Sequence, residues 1–133
     1  MSQENVAVVR EMNLAFNAED DAWVDFYDAD VEFVMPPEWP EDRVYRGRDA
    51  VKGLSAALRE VFGGQEWRIE RPIDAGGDCV VALAHAHASL EGGALEQRIA
   101  AVHYVAGGKI LRQLAFFSWE EALSVAGVED AGR

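Results

Sequence analysis

The chain has 133 residues, of which 50% are hydrophobic and 27% are charged. This length and mixture predict a single globular domain over residues 1–133, with an ordered part from about residue 2 to about residue 127. The formal net charge of −12 argues against nucleic-acid binding, because a phosphate backbone is recognised by clustered basic residues.

The single cysteine, Cys79, excludes an intrachain disulfide and a cluster of thiolate metal ligands. The first five residues lack the basic and apolar regions of a secretory signal, and no apolar stretch approaches the length of a membrane span. We therefore expect a cytoplasmic protein without a membrane partner.

Three helices are predicted in the first half of the chain. The first runs from Ser2 to about Asn17, and a short second helix ends at residues 28–30. The third begins near Asp49 and ends at the glycines of 63–64.

Strands fill most of the remaining chain. The first spans 31–35 and stops at two prolines, and a loop containing Trp39 leads to a short strand at 44–46. Four strands then form a meander, at residues 67–73, 79–90, 97–105 and 109–117. Ser118 and Glu121 have the spacing of a capping box, which predicts a C-terminal helix.

The last hairpin has two apolar sides. With Val105 paired to Gly108, one side carries Arg98, Ala100, Val102, Leu111, Gln113, Ala115 and Phe117. The other side carries Ile99, Ala101, His103, Arg112, Leu114 and Phe116. One side is expected to cover a core or pocket, and the other to meet a second layer or a partner chain, which favours a homodimer.

Four segments resemble the nuclear transport factor two-like superfamily and its SnoaL-like (polyketide-cyclase-like) branch: residues 17–20, 29–33, 45–51 and 108–110. The resemblance covers essentially the whole chain. It implies an α+β cone, in which three N-terminal helices close a cavity against a strongly curved sheet and a short helix ends the chain. It also implies dimers through the outer sheet face.

Function does not follow from that fold, because the superfamily includes several kinds of enzyme as well as binding modules. In ketosteroid isomerase, a tyrosine and two aspartic acids do the chemistry, and the matching positions here are Met12, Ala100 and Met35. None of these side chains carries a proton, so the isomerase mechanism is not predicted. SnoaL-like relatives have acidic residues near the end of the last strand, where this chain has Ala115, Phe116 and Ser118.

The residues expected to line the cavity are mostly apolar. They are Met12, Met35, Ala100, Val102, Ala115 and Phe117, with Trp39 and Tyr45 at the rim. They favour a flat hydrophobic ligand and require no cofactor. The alternative is that these side chains simply pack against one another.

The register of the hairpin at Gly92 and Gly93 decides which polar side chains of this hairpin face the pocket. A two-residue turn pairs His87 with Arg98 and His85 with Ala100, and places both histidines in the pocket. A longer loop turns them outward, beside His103. Surface or interface histidines are the favoured interpretation, and no metal site is predicted, because no carboxylate partner is evident.

The sequence thus predicts a protein that binds a small hydrophobic molecule in an apolar cone. One alternative is an enzyme of the cyclase, isomerase, hydratase or epoxide-hydrolase type that uses Arg98, His85, His87 or Gln113. Another is a structural dimer without a ligand.

Overall fold

The computed structural model of the protein describes residues 2–62, 65–90 and 93–128. Its helices are α1 (Ser2–Asn17), a 3₁₀-helix (Asp21–Phe26), α2 (Arg48–Phe62) and α3 (Trp119–Ala126). Its strands are β1 (Tyr27–Val34), β2 (Val44–Arg46), β3 (Gln65–Asp74), β4 (Cys79–Leu90), β5 (Gly93–Ala106) and β6 (Lys109–Phe116).

The six strands form one curved sheet in the order β2-β1-β6-β5-β4-β3. β1 runs parallel to β6, and every other pairing is antiparallel. The predicted α+β architecture is therefore confirmed, with three helices preceding the meander and one following it.

Local sequence signals fix several element ends. The Asp20 carboxylate accepts a hydrogen bond from the backbone N–H of Ala22 and so caps the 3₁₀-helix. Ser118 Oγ accepts from the N–H of Glu121 at 3.2 Å, as the capping box predicts. Gly127 has a φ of 74° and ends α3 in the left-handed conformation that glycine adopts most easily.

The predicted second helix is too long, because β1 begins at Tyr27 and not at residue 31. Tyr27 pairs with Ile110 of β6, and the register between these strands shifts before Glu32. Trp23, Phe26 and Tyr27 have helical spacing in the sequence. Pairing of Tyr27 with a distant strand therefore overrides this local pattern.

The sheet has two covered faces. The inner face packs against α1, the 3₁₀-helix and α2, and its largest buried side chains include those of Tyr27, Val31 and Ile110. The outer face packs against α3, through Leu83, Val102 and other buried apolar residues. α3 is thus the second layer that the apolar outer side requires.

The predicted grouping of side chains in the β5–β6 hairpin is wrong. Ala106 pairs with Lys109 across the turn, and the register then shifts between Val105 and Tyr104. This shift is a bulge with one extra residue on β6. Beyond it, every side chain of β6 lies on the opposite face from the one predicted relative to β5. The odd-numbered residues of β5 therefore share a face with Gln113.

Candidate ligand-binding cavity

Among the residues that the structure describes, a narrow cavity and a wide cavity lie between the inner face and the helices. The narrow cavity has a volume of about 60 Å³ and is lined by residues of α1, α2, β1 and β6. The wide cavity has a volume of about 160 Å³ and is lined by residues of β4, β5, α2 and the β1–β2 loop. Leu58 and Trp67 line both cavities and therefore lie between them.

A buried polar pair marks the narrow cavity. The Tyr27 hydroxyl donates a hydrogen bond of 2.6 Å to Gln113 Oε1, and both side chains line the cavity. Tyr27 is 2% exposed and Gln113 is 3% exposed. Burial raises the pKa of the Tyr27 phenol above its ordinary range, so the phenol stays protonated and acts as a donor.

Two asparagines of α1 hold the wall between the cavities in place. Asn17 Nδ2 donates to the carbonyl of Trp67 at 2.7 Å, and Asn17 Oδ1 accepts from the N–H of Trp67 at 2.9 Å. Asn13 Nδ2 donates to the same carbonyl at 2.9 Å. Because β3 is an edge strand, these bonds satisfy backbone groups that have no strand partner and fix Trp67 against α1.

The loop between β1 and β2 carries Trp39 over the wide cavity. The backbone N–H of Trp39 donates to the carbonyl of Pro36, and Arg43 closes the base of the loop through bonds to the Met35 and Pro36 carbonyls. The indole Nε1 of Trp39 is buried and has no hydrogen-bond partner among the described residues. Trp39 therefore belongs to the wall of the wide cavity.

Most of the predicted site residues lie at the cavities. Those that line one of them are Met12, Met35, Trp39, His87, Gln113 and Phe117. Ala115 is buried in the inner core, and Tyr45 is partly buried against it. Their contact with a ligand stays a prediction.

The predicted positions of Ala100 and Arg98 at the cavity are wrong, because the β5–β6 bulge places both residues on the outer face. Ala100 is buried beneath α3. The Arg98 guanidinium carbon lies 4.4 Å from the centre of the Trp119 ring, a cation–π arrangement. Arg98 is therefore directed away from the cavities.

The three histidines lie in different environments. His85 pairs with Arg98 and not with the predicted Ala100, a difference of two residues in register. Its side chain lies on the outer face, where Nε2 is 2.8 Å from Glu70 Oε2. His87 borders the wide cavity, but the strand register places its side chain on the outer face with that of His85, and its Nδ1 lies 3.3 Å from Glu96 Oε2. The turn residues 91–92 themselves lie outside the described residues.

His103 is on the inner face, opposite Gln113 and not beside the other histidines. It is 2% exposed, and its Nδ1 lies 3.2 Å from the carbonyl oxygen of Val80. Because a carbonyl only accepts, Nδ1 carries the proton. Burial lowers the pKa of His103 to about 4, so the ring is neutral near neutral pH.

Within the described ranges, no group of three or more His, Cys, Asp or Glu side chains is placed to hold a metal ion. Over the same residues, no helix is both long and apolar enough to cross a membrane.

The fold is similar to that of many solved structures. TerC, crystallised with polyporic acid, is 20% identical with a TM-score of 0.77, and the match covers 93% of this chain and 98% of TerC. A nuclear transport factor two-like protein of unknown function from Burkholderia pseudomallei is 19% identical with a TM-score of 0.77, over 95% of this chain and 98% of that protein.

A protein with a ketosteroid isomerase-like fold from Catenulispora acidiphila, in complex with trimethylamine, is 18% identical with a TM-score of 0.71, over 92% of this chain and 93% of that protein. No curated protein matches the sequence. The family model for the SnoaL-like domain matches residues 9–113. The chain therefore belongs to the family of SnoaL-like domains.

Proposed function

We propose that the protein binds a small hydrophobic molecule in the wide cavity, with the narrow cavity as an extension of the same site. The observation that carries this proposal is the size and lining of the wide cavity, whose volume is about 160 Å³ and whose wall includes Met35, Trp39, Ile99 and Phe117. An apolar cavity of about 150 Å³ stays dry and binds benzene, so one six-membered ring fits here.

Two relatives of the same fold support binding of small organic molecules. TerC was crystallised with polyporic acid, and the Catenulispora acidiphila protein is in complex with trimethylamine.

The test is to measure binding of benzene, toluene and α-methylstyrene by ligand-observed NMR. We expect saturable binding with a Kd below about 1 mM, since small apolar ligands contribute favourable free energy per heavy atom. Ala86→Phe fills the wide cavity, because Ala86 lines it, and is expected to weaken binding at least about tenfold. Ala22→Phe, at an exposed position of the 3₁₀-helix, is the matched control and should bind as wild type. Absence of binding to wild type, or equal binding to both variants, would overturn the proposal.

The enzyme alternative loses three of its four candidate groups. Arg98 and His85 lie on the outer face, against Trp119. The His87 side chain pairs with Glu96 on the same face, so of the four candidates only Gln113 remains directed at a cavity. Binding, rather than catalysis, is the function that these contacts support best.

The protein is also proposed to form a homodimer through the part of the outer face that α3 leaves open. Across β3, β4 and β5, the register places Arg68, His85 and Arg98 in one row. The neighbouring row consists of Glu66, His87 and Glu96. A twofold axis that lies in the interface plane, parallel to the two rows and between them, would bring the arginines of one copy against the glutamates of the other, which supports an isologous contact.

Light scattering after size-exclusion chromatography tests the dimer. The expected mass is twice the 14.6 kDa of the chain. Arg98→Glu should shift the protein toward the monomer, whereas Arg10→Glu, at an exposed position of α1, should not. A monomeric wild type at about 100 μM would exclude a dimer of micromolar affinity. We propose a cytoplasmic location without nucleic-acid or membrane partners, which rests on the acidic composition and on the single cysteine.

A further inference from the structure

We propose that the Tyr27–Gln113 pair recognises a hydrogen-bond acceptor oxygen, so that the ligand is an apolar ring bearing a carbonyl group. This inference rests on the proposed function, because it assigns the chemistry of the ligand in the same site. Both side chains line the narrow cavity, and each is more than nine-tenths buried. The sequence alone does not single out Tyr27.

The hydrogen bond between the two residues leaves donors available to a ligand. Gln113 Oε1 accepts from the Tyr27 hydroxyl, so the oxygen end of the carboxamide is occupied. The nitrogen end carries two N–H donors, and no described residue accepts a hydrogen bond from it. Gln113 lines the narrow cavity, so an acceptor on a bound molecule can take one of these donors.

The surroundings make an acceptor the fitting partner. The rest of the narrow cavity is largely apolar and aromatic, and includes Met12, Phe16, Trp23, Phe33 and Leu54. The phenol stays protonated, and the carboxamide carries no charge. A neutral carbonyl oxygen therefore suits this site better than a carboxylate, which would be desolvated without a compensating cation.

The volumes of the cavities suggest how such a molecule would lie. The narrow cavity, at about 60 Å³, is far smaller than the roughly 150 Å³ that holds a benzene ring. The wide cavity, at about 160 Å³, matches that ring. Leu58 and Trp67 line both spaces, so the cavities adjoin at these two side chains, and the carbonyl substituent of a ring in the wide cavity reaches Gln113 by passing between them.

Acetophenone and α-methylstyrene form a matched pair of probes, because the second replaces the carbonyl oxygen of the first by a methylene group. The Kd of each is measured for wild type and for Gln113→Met, which keeps the length of the side chain and removes the amide. We expect Gln113→Met to weaken the binding of acetophenone about three- to tenfold more than the binding of α-methylstyrene, because one neutral hydrogen bond contributes a factor of this size. Ala22→Phe, which lies on the surface, should leave this ratio unchanged.

A second measurement does not depend on the stability of the variant. In wild-type protein, the side-chain amide resonances of Gln113 in a ¹H–¹⁵N spectrum should shift downfield with acetophenone and stay in place with α-methylstyrene. If both probes bind, an unchanged affinity ratio together with unmoved amide resonances would overturn this inference and leave the proposed function standing. If neither probe binds, the proposed function fails, and the inference fails with it.

Discussion

Protonation of His103 should destabilise the fold in mild acid. Its side chain is 2% exposed, and burial lowers its pKa to about 4 in the folded protein. In the unfolded chain, a histidine titrates near 6.5. Between these two values the unfolded state binds more protons, so the free energy of unfolding falls as the pH falls.

The magnitude follows from the difference between the two pKa values. The stabilisation is fully present above about pH 6.5 and is lost progressively down to about pH 4. Each pKa unit corresponds to about 1.4 kcal/mol, so the whole window is worth about 3 kcal/mol, and the step from pH 7 to pH 5 is worth about 2 kcal/mol.

Urea unfolding of wild type and His103→Asn at pH 7, 6 and 5 measures this effect. Asparagine has a side-chain N–H that can serve the Val80 carbonyl, and it does not titrate. All other ionisable groups are present in both proteins, so their contributions cancel in the difference. We expect wild type to lose about 2 kcal/mol more than the variant between pH 7 and pH 5. Parallel stability profiles would refute a neutral, buried His103.

Two further substitutions test the contacts that shape the cavities, each by urea unfolding at pH 7. Tyr27→Phe leaves Gln113 Oε1 without its donor and should lower the free energy of unfolding by about 1–3 kcal/mol. Adding Gln113→Leu to this variant should recover part of that loss. Strictly additive losses from the two substitutions would contradict the pairing. Asn17→Ala removes both hydrogen bonds of Asn17 to the Trp67 backbone and leaves the N–H of this edge-strand residue unpaired. The free energy of unfolding should therefore fall by about 1–3 kcal/mol. A fall no larger than that caused by Glu11→Ala, at an exposed position, would contradict this role of Asn17.

The residues missed at the site share one cause. Tyr27 follows aromatic residues at helical spacing, and this local pattern gives no sign that the backbone becomes a strand at that residue. The sequence predicts a strand at Trp67 and a helix at Leu58, but nothing local shows that both residues border the same cavities. Their shared role depends on how α1 and α2 sit on the sheet.

The sequence by itself determined the order of elements and the family. The Ser118 cap, the left-handed Gly127 and the glycine turn at 107–108 act through the conformations of a few neighbouring residues, so they can be read locally. The family resemblance, carried by four short segments, is confirmed by the match over residues 9–113.

Only the tertiary structure decided which side chains face the cavities. A single extra residue in β6 exchanges the two sides of the hairpin, which sends Arg98 and Ala100 outward and His103 inward. Packing of α3 on the outer face fixes this choice, because it buries the apolar residues that this register presents. Strand register is a property of pairing between distant segments, whereas caps and turns are properties of a few consecutive residues.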